Sequence, residues 1–159
     1  MDNLKKIVLR SIARNVCRLT GSTKSYRKIR GLARKSNKDF LKSNCHGFTL
    51  YMLDFDKNNF APKYIDHIFM DSFLTDYCFP SRLNNGLIVG FREGDETLAH
   101  TGVICPTYQG PILIHQPDIS KPFEFTTLDH YIEKNLNLKT ETSIEYYKYF
   151  PDDANLSIY

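Results

Sequence analysis

Three residues in this chain combine a reactive type with a setting that could put it to work: Cys45, His100 and His115. Cys45 lies in Asn44-Cys45-His46-Gly47-Phe48-Thr49-Leu50-Tyr51-Met52-Leu53, where a small polar residue, a cysteine and a glycine lead into an apolar, helix-compatible run. A helix starting near Cys45 would place the thiol at its positive end, where unpaired N–H groups and the macrodipole favour thiolate over thiol. A thiolate is a strong nucleophile and needs a base nearby. His100, in Ala99-His100-Thr101-Gly102-Val103-Ile104, and His115, in Ile112-Leu113-Ile114-His115-Gln116, both sit in short β-type runs that could hold an imidazole rigidly.

The elements that would position them follow from periodicity. Leu4, Ile7, Val8, Ile12 and Val16 recur at helical intervals among Lys and Arg, predicting an amphipathic helix over 3–19 that Gly21-Ser22 ends. A second basic segment, Tyr26 to Leu41, reads as another helix. The cysteine helix follows and ends near Asp54-Phe55-Asp56-Lys57-Asn58-Asn59, whose acidic spacing lacks the glycine and closing glutamate of a calcium loop. Ile65, Ile68, Phe69, Phe73 and Leu74 form a helical stripe over 64–77. Pro80-Ser81-Arg82 reads as a break and Asn84-Asn85-Gly86 as a turn.

After Gly86 the period changes to that of strands. Strands are predicted over 87–91, 99–105 and 112–115, joined by polar turns at 92–96 and 106–111, as an antiparallel meander. Lys121-Pro122 is a break. Thr126 is expected to cap a helix over 127–134 with Leu128, Tyr131 and Ile132 inward, and 142–150 reads as a last β-type run before a loose tail at 152–159. Helices first and a sheet afterwards predict an α+β fold, the nucleophile on the helical layer and the histidines on the sheet facing it.

With 159 residues the chain suits one domain with a real core. The net charge of +3 is small, but the basic surplus gathers in residues 1–43 and the acidic residues after Asp54. Such a front end could meet a nucleic acid, an anionic membrane or an acidic partner, or form a solvated helix face. Cys17, Cys45, Cys78 and Cys105 are too scattered for a disulfide scaffold, and no C-x-x-C occurs. Lys5, Lys6, Arg10 and Arg14 interrupt any secretory signal, and no run approaches a membrane span. The expected product is made in the cytoplasm and exported, if at all, by a dedicated secretion machine.

Taken in order, these motifs resemble the NlpC-like cysteine peptidases of papain-like fold. That family shows Asp-Cys-Ser-Gly-Phe opening a helix, a Gly-Asp-Leu-Val-Phe-Phe strand, a His-Val-Gly-Ile strand, and a third polar residue ending the next strand. Here Asn44-Cys45-His46-Gly47-Phe48, Gly86-Leu87-Ile88-Val89-Gly90-Phe91, His100-Thr101-Gly102-Val103-Ile104 and Ile114-His115 stand in those places. The departures are Asn44 for Asp, His46 for Ser and Leu87 for Asp. The resemblance implies one papain-like domain over 1–159: a basic helical extension (1–43), then a catalytic core (44–116). It implies Cys45 as nucleophile, His100 as general base and His115 as the residue that orients His100, with no cofactor.

Gln116 and Asp118 are rivals for the orienting role, and strand alternation sends Gln116 to the face opposite His115. The Cys45 N–H is one candidate oxyanion donor, with His46 or Tyr26 as the second. The implied substrate is an amide: a peptidoglycan stem peptide cut by a secreted toxin or effector, or a side-chain amide of a host protein modified by a deamidase or transferase. An immunity or host protein would be its partner. Two other classes compete. Cys45, His46, His100 and His115 could bind zinc, although only Cys45 and His46 are close in sequence. The basic helices could also serve a non-enzymatic module that holds nucleic acid or a partner, although they lack recognition motifs and aromatic interleaving.

Overall fold

A computed structural model describes residues 3–55, 61–83, 87–119, 121–135 and 142–149. Within them the fold is α+β, five α-helices with a six-stranded antiparallel sheet. The turn expected at 84–86, most of the loop after Asp54 and the tail at 152–159 lie outside the described residues.

Helix α1 spans Asn3–Thr20. It buries Leu9, Ile12, Ala13 and Val16 and turns Lys6, Arg10 and Arg14 outward. Gly21 ends it at φ +68, the left-handed conformation that glycine reaches without strain. The second basic segment is not the single helix that its sequence predicts. Helix α2 runs Thr23–Gly31, with Ser22 capping the Ser25 N–H, and is followed by 3₁₀ turns at Leu32–Arg34 and Asn37–Phe40. The break falls at Lys35, whose backbone is extended. A Ser36–Asp39 capping box then starts a new turn, so local side-chain bonding overrides the helical period.

Helix α3 spans Cys45–Met52 and is buried nearly throughout. Helix α4, His67–Tyr77, starts three residues later than the stripe predicts because Asp66 caps the Phe69 N–H. The predicted stripe is only half right. Met70, Phe73 and Leu74 are buried, whereas Ile68 and Phe69 are exposed.

The strands are β1 (Cys78–Ser81), β2 (Ile88–Arg92), β3 (Leu98–Cys105), β4 (Ile112–His115), β5 (Glu124–Thr127) and β6 (Ser143–Tyr149), in the order β1-β6-β2-β3-β4-β5. The predicted meander is the centre of this sheet. Pro80 sits in edge strand β1 rather than in a break, because an edge strand can spare its N–H. Thr126 lies within β5 and caps nothing. Thr127 instead accepts from the His130 N–H and starts α5, Leu128–Asn135.

The sheet is sandwiched. On one face Ile88, Val103, Cys105, Ile114 and Tyr147 join the core formed with α1 to α4. On the other, Val89, Phe91, Ile104 and Leu113 pack under Leu128, Tyr131 and Ile132 of α5. Arg92 pins α4 to β6 by reaching Asp71 at 2.5 Å and Glu145 at 2.6 Å. These partners hold its guanidinium charged, with pKa further above its ordinary value.

Candidate active site

The start of α3 is set by Asn44, whose amide ties three groups together. Its Oδ1 accepts from the Gly47 N–H at 3.0 Å and the Ile65 N–H at 3.1 Å, and its Nδ2 donates to the Ile65 carbonyl at 2.7 Å. The cap therefore fastens the segment before α4 to the first turn of α3. Gly47 is required there: a Cβ on it would land on the carbonyl oxygen of Lys63, well inside van der Waals contact. Cys45 is the first helical residue, half-buried and reduced.

Strand β3 sends its neighbours to opposite faces. Thr101 points at α3, where its hydroxyl meets His46 Nδ1 at 2.9 Å and Thr49 Oγ1 at 3.3 Å. Thr49 gives its own proton to the Cys45 carbonyl at 2.9 Å. These contacts tie His46 and Thr49 of α3 to Thr101 of the sheet.

His100 points the other way, to the α5 face. The histidines thus do not face the cysteine helix as the layer argument predicts. Strand alternation puts them on the far side of the sheet, and of the two only His100 shares a cleft with Cys45. There a cleft of roughly 340 Å³ is lined by Cys45, His46 and His100, with Tyr64, His67 and Ile119 at its walls.

His100 Nε2 lies 2.9 Å from His115 Nδ1, and the rings meet edge to face. Gly102 packs closely against the strand that carries His115. A Cβ there would come within 3.2 Å of the His115 Cβ, 3.1 Å of the Ile114 carbonyl oxygen and 2.5 Å of Leu113 Cδ1. Tyr131 of α5 roofs the pair, stacked on His100 at 5.4 Å and edge-on to His115 at 5.0 Å. His115 is fully buried, and its Nε2 has no hydrogen-bond partner among the described residues. Glu124, opposite it on β5, brings Oε1 to 3.5 Å, too far for a hydrogen bond. Tyr131 and Glu124 were not singled out for the site. A helix stripe gives no sign of which ring covers a base, and Glu124 stands in a strand that the sequence hides.

The electrostatics favour neutral forms. Burial pushes the Cys45 thiol up, outweighing the backbone amides of Thr101, His46 and Cys45 itself, which act in the opposite sense. The helix-start effect expected from sequence is present but loses to desolvation. His100 is held well below the ordinary histidine range by burial, then by His115 and His46. His115 is held down at about 4 by burial alone, since the 58 % exposed Glu124 leaves its charge in water. His46 also falls to about 4, through burial and then His67. Tyr131 rises to about 12, through burial and then the Cys45 and Glu124 charges.

The rivals Gln116 and Asp118 line the same cleft, but their polar groups are engaged away from His100. Gln116 is buried with its amide spent on Ser43 and Phe40, accepting from Ser43 Oγ at 2.6 Å and donating to the Phe40 and Ser43 carbonyls. Asp118 bonds the Ile119 N–H and sits 3.3 Å from Lys121 Nζ. Tyr26 packs under Arg30, away from the cleft. Cys105 faces the α1 side, where Asn15 donates to its sulfur at 3.3 Å. Among the described residues no three His, Cys, Asp or Glu side chains are grouped as metal ligands would be, and no helix is long and apolar enough to cross a membrane. The chain matches no family model, no curated protein and no solved structure.

Proposed function

We propose that this chain is a cysteine hydrolase of papain-like build that attacks an amide carbonyl, with Cys45 as nucleophile, His100 as base and His115 as the residue that orients His100. The observation that carries the reading is the 2.9 Å contact between His100 Nε2 and His115 Nδ1. It occupies one nitrogen of His100 and leaves Nδ1 for a thiol at the same cleft.

The proton inventory follows from these roles. For His100 Nδ1 to accept the thiol proton, Nε2 must carry hydrogen and donate to His115 Nδ1. His115 then carries its own proton on Nε2, directed at Glu124. As the Cys45 sulfur bonds to the carbonyl carbon, its proton passes to His100 Nδ1, and the new oxyanion lies near the Cys45 and His46 N–H groups, which have no partner within the helix at its start. His100 returns the proton to the departing amine, leaving a thioester that water, deprotonated by the same ring, hydrolyses. The resting site is a neutral thiol beside a neutral imidazole, so charge separates only as substrate is attacked.

The resemblance favours a peptidoglycan stem peptide, cut by a secreted toxin or effector. The test is incubation of the protein and Cys45→Ala with purified muropeptides and, separately, with host lysate. Peptide fragments that depend on Cys45 are the expected result. A mass gain of amide becoming acid on a host glutamine would redirect the reading to deamidation. No change in either substrate, with Cys45→Ala fully functional in cells, would leave a binding module instead.

A further inference from the structure

The charge of this chain is strongly polarised. Residues 1–43 hold thirteen Lys and Arg against two acidic residues, whereas the rest hold eight against sixteen. Most of these cations sit singly on the surface, but four converge. Lys6 and Arg10 on α1, with Arg30 of α2 and Arg34 of the following 3₁₀ turn, line one concavity of roughly 400 Å³ floored by Leu9 and Ala33. Among the described residues no acidic side chain lines it. Lys28 and Lys35, which pair with Asp54 and Asp39, lie outside it.

The convergence has a cost that a solvated helix face avoids. Lys6 and Arg10 stack one turn apart, and so do Arg30 and Arg34, each pair repelling itself across i,i+4. Packing α1 against α2 then sets the two pairs on opposite walls of one hollow. An anion between the walls would relieve both repulsions, and three guanidinium forks suit phosphate oxygens in particular. A membrane-inserting helix is a poorer account, because Leu9, Ile12, Ala13 and Val16 of α1 are already buried in the core and, of the described stripe, Ile7 alone is exposed. A nucleic-acid strand is also poorer. The exposed aromatics Tyr64, Phe69, Phe79 and Tyr108 all lie outside residues 1–43, so bases would find no stacking platform here.

We propose that the hollow walled by Lys6, Arg10, Arg30 and Arg34 is a binding site for a compact ligand carrying several phosphate groups. The ligand is either free in solution or the headgroup of a phospholipid. The site is independent of the chemistry at Cys45.

The test uses the full chain, with tripolyphosphate and inositol hexakisphosphate as soluble probes, titrated calorimetrically at physiological salt. Vesicles with and without a polyphosphorylated inositol lipid form a second arm. Arg30→Gln/Arg34→Gln is compared with Lys38→Gln/Lys42→Gln, which removes the same charge from exposed positions outside the hollow. All four side chains are exposed, and melting curves check that both variants fold. The expected result is saturable one-to-one binding, weakened at least tenfold by the arginine pair and less than twofold by the lysine pair. Tighter capture by the lipid vesicles than by the soluble probes would assign the ligand to a membrane, and the reverse to a free phosphate compound. Equal losses from the two pairs would reduce the site to diffuse electrostatics. Binding to no probe, or affinity for single-stranded oligonucleotides that exceeds theirs and grows with length, would overturn the proposal.

Discussion

Gly102 stands beside His115 across the β3–β4 pair, where a Cβ would come within 3.2 Å of the His115 Cβ that carries the imidazole to His100. Gly102→Ala should therefore harm the site more than the fold. The new methyl meets Leu113 Cδ1, which can rotate away, but also the Ile114 carbonyl and the His115 Cβ, which cannot. A loss of about 1–3 kcal/mol is expected from overpacking. If His115 swings off His100, the hydrolytic kcat should fall about 100-fold, the scale of a misplaced acid–base group. Melting curves and turnover measured on one preparation separate the two effects. Unchanged turnover in a destabilised protein would deny His115 its orienting role.

Asn44 gives a second prediction. An Asp cap would serve the Gly47 N–H equally well, but it would turn a carboxylate oxygen against the Ile65 carbonyl, now 2.7 Å from Nδ2. Asn44→Asp should cost ~1–3 kcal/mol, the cost of a part-buried acceptor left facing another acceptor. In a chain of this size that lowers the melting temperature by several degrees. An unchanged or raised melting temperature would mean that the link between α3 and the segment at Ile65 is not what fixes the helix start. The departure from the resembled Asp-Cys pattern is thus accounted for by this second, local duty.

How much of this was legible in the sequence depended on how local each cause is. The meander of β2, β3 and β4 announces itself by alternation and turn residues, and α1 by its 3.6-residue period. The 2.9 Å contact of His100 with His115 joins residues fifteen apart on neighbouring strands of that meander. Strand β6 inserts between β1 and β2, a pairing across more than fifty residues that no local pattern encodes. Short β5, with its half-exposed side chains, carries no alternation to notice. The face on which His100 lies was mistaken because layer order was used where residue parity decides: Thr101, not His100, shares a face with α3. The balance of charge at Cys45 was mistaken because a helix start can be read from sequence, whereas the burial that overrides it cannot.

Acid should destabilise the fold through three histidines, His46, His100 and His115. His46 and His115 are each held at about 4, against an ordinary value of 6.5. Above pH 6.5 both states of the chain carry neutral rings, and these groups make no difference. As pH falls from 6.5 towards about 4, the unfolded chain takes up protons that the folded one refuses, so stability drops across that window, and His100, also held well below its ordinary value, adds to the fall. At about 1.4 kcal/mol per pKa unit, His46 and His115 each account for roughly 3 kcal/mol, a large part of a typical domain's stability. Urea midpoints measured between pH 7 and 4.5 should fall steadily, and His115→Gln should flatten the slope. A wild-type midpoint that stays level over this range would place these rings in wetter surroundings than the structure gives them.

The last prediction separates a preformed ion pair from a neutral pair at the nucleophile. Were Cys45 a resting thiolate beside a protonated His100, iodoacetamide would alkylate it at a rate nearly independent of pH across the neutral range. Burial here pushes the thiol up and the imidazole down, so both protonation equilibria favour the neutral pair. The alkylation rate of Cys45 should therefore keep rising from pH 6 to pH 9, with no plateau at neutral pH. Cys78 and Cys105 are buried, with Cys78 pushed up to about 12, and should label after it in the folded protein. Peptide mass mapping after limiting reagent reads both the order and the pH profile. A plateau between pH 5 and 8 would show that the three backbone amides around Cys45 outweigh its desolvation, and the proton transfer to His100 would then precede substrate binding rather than accompany attack.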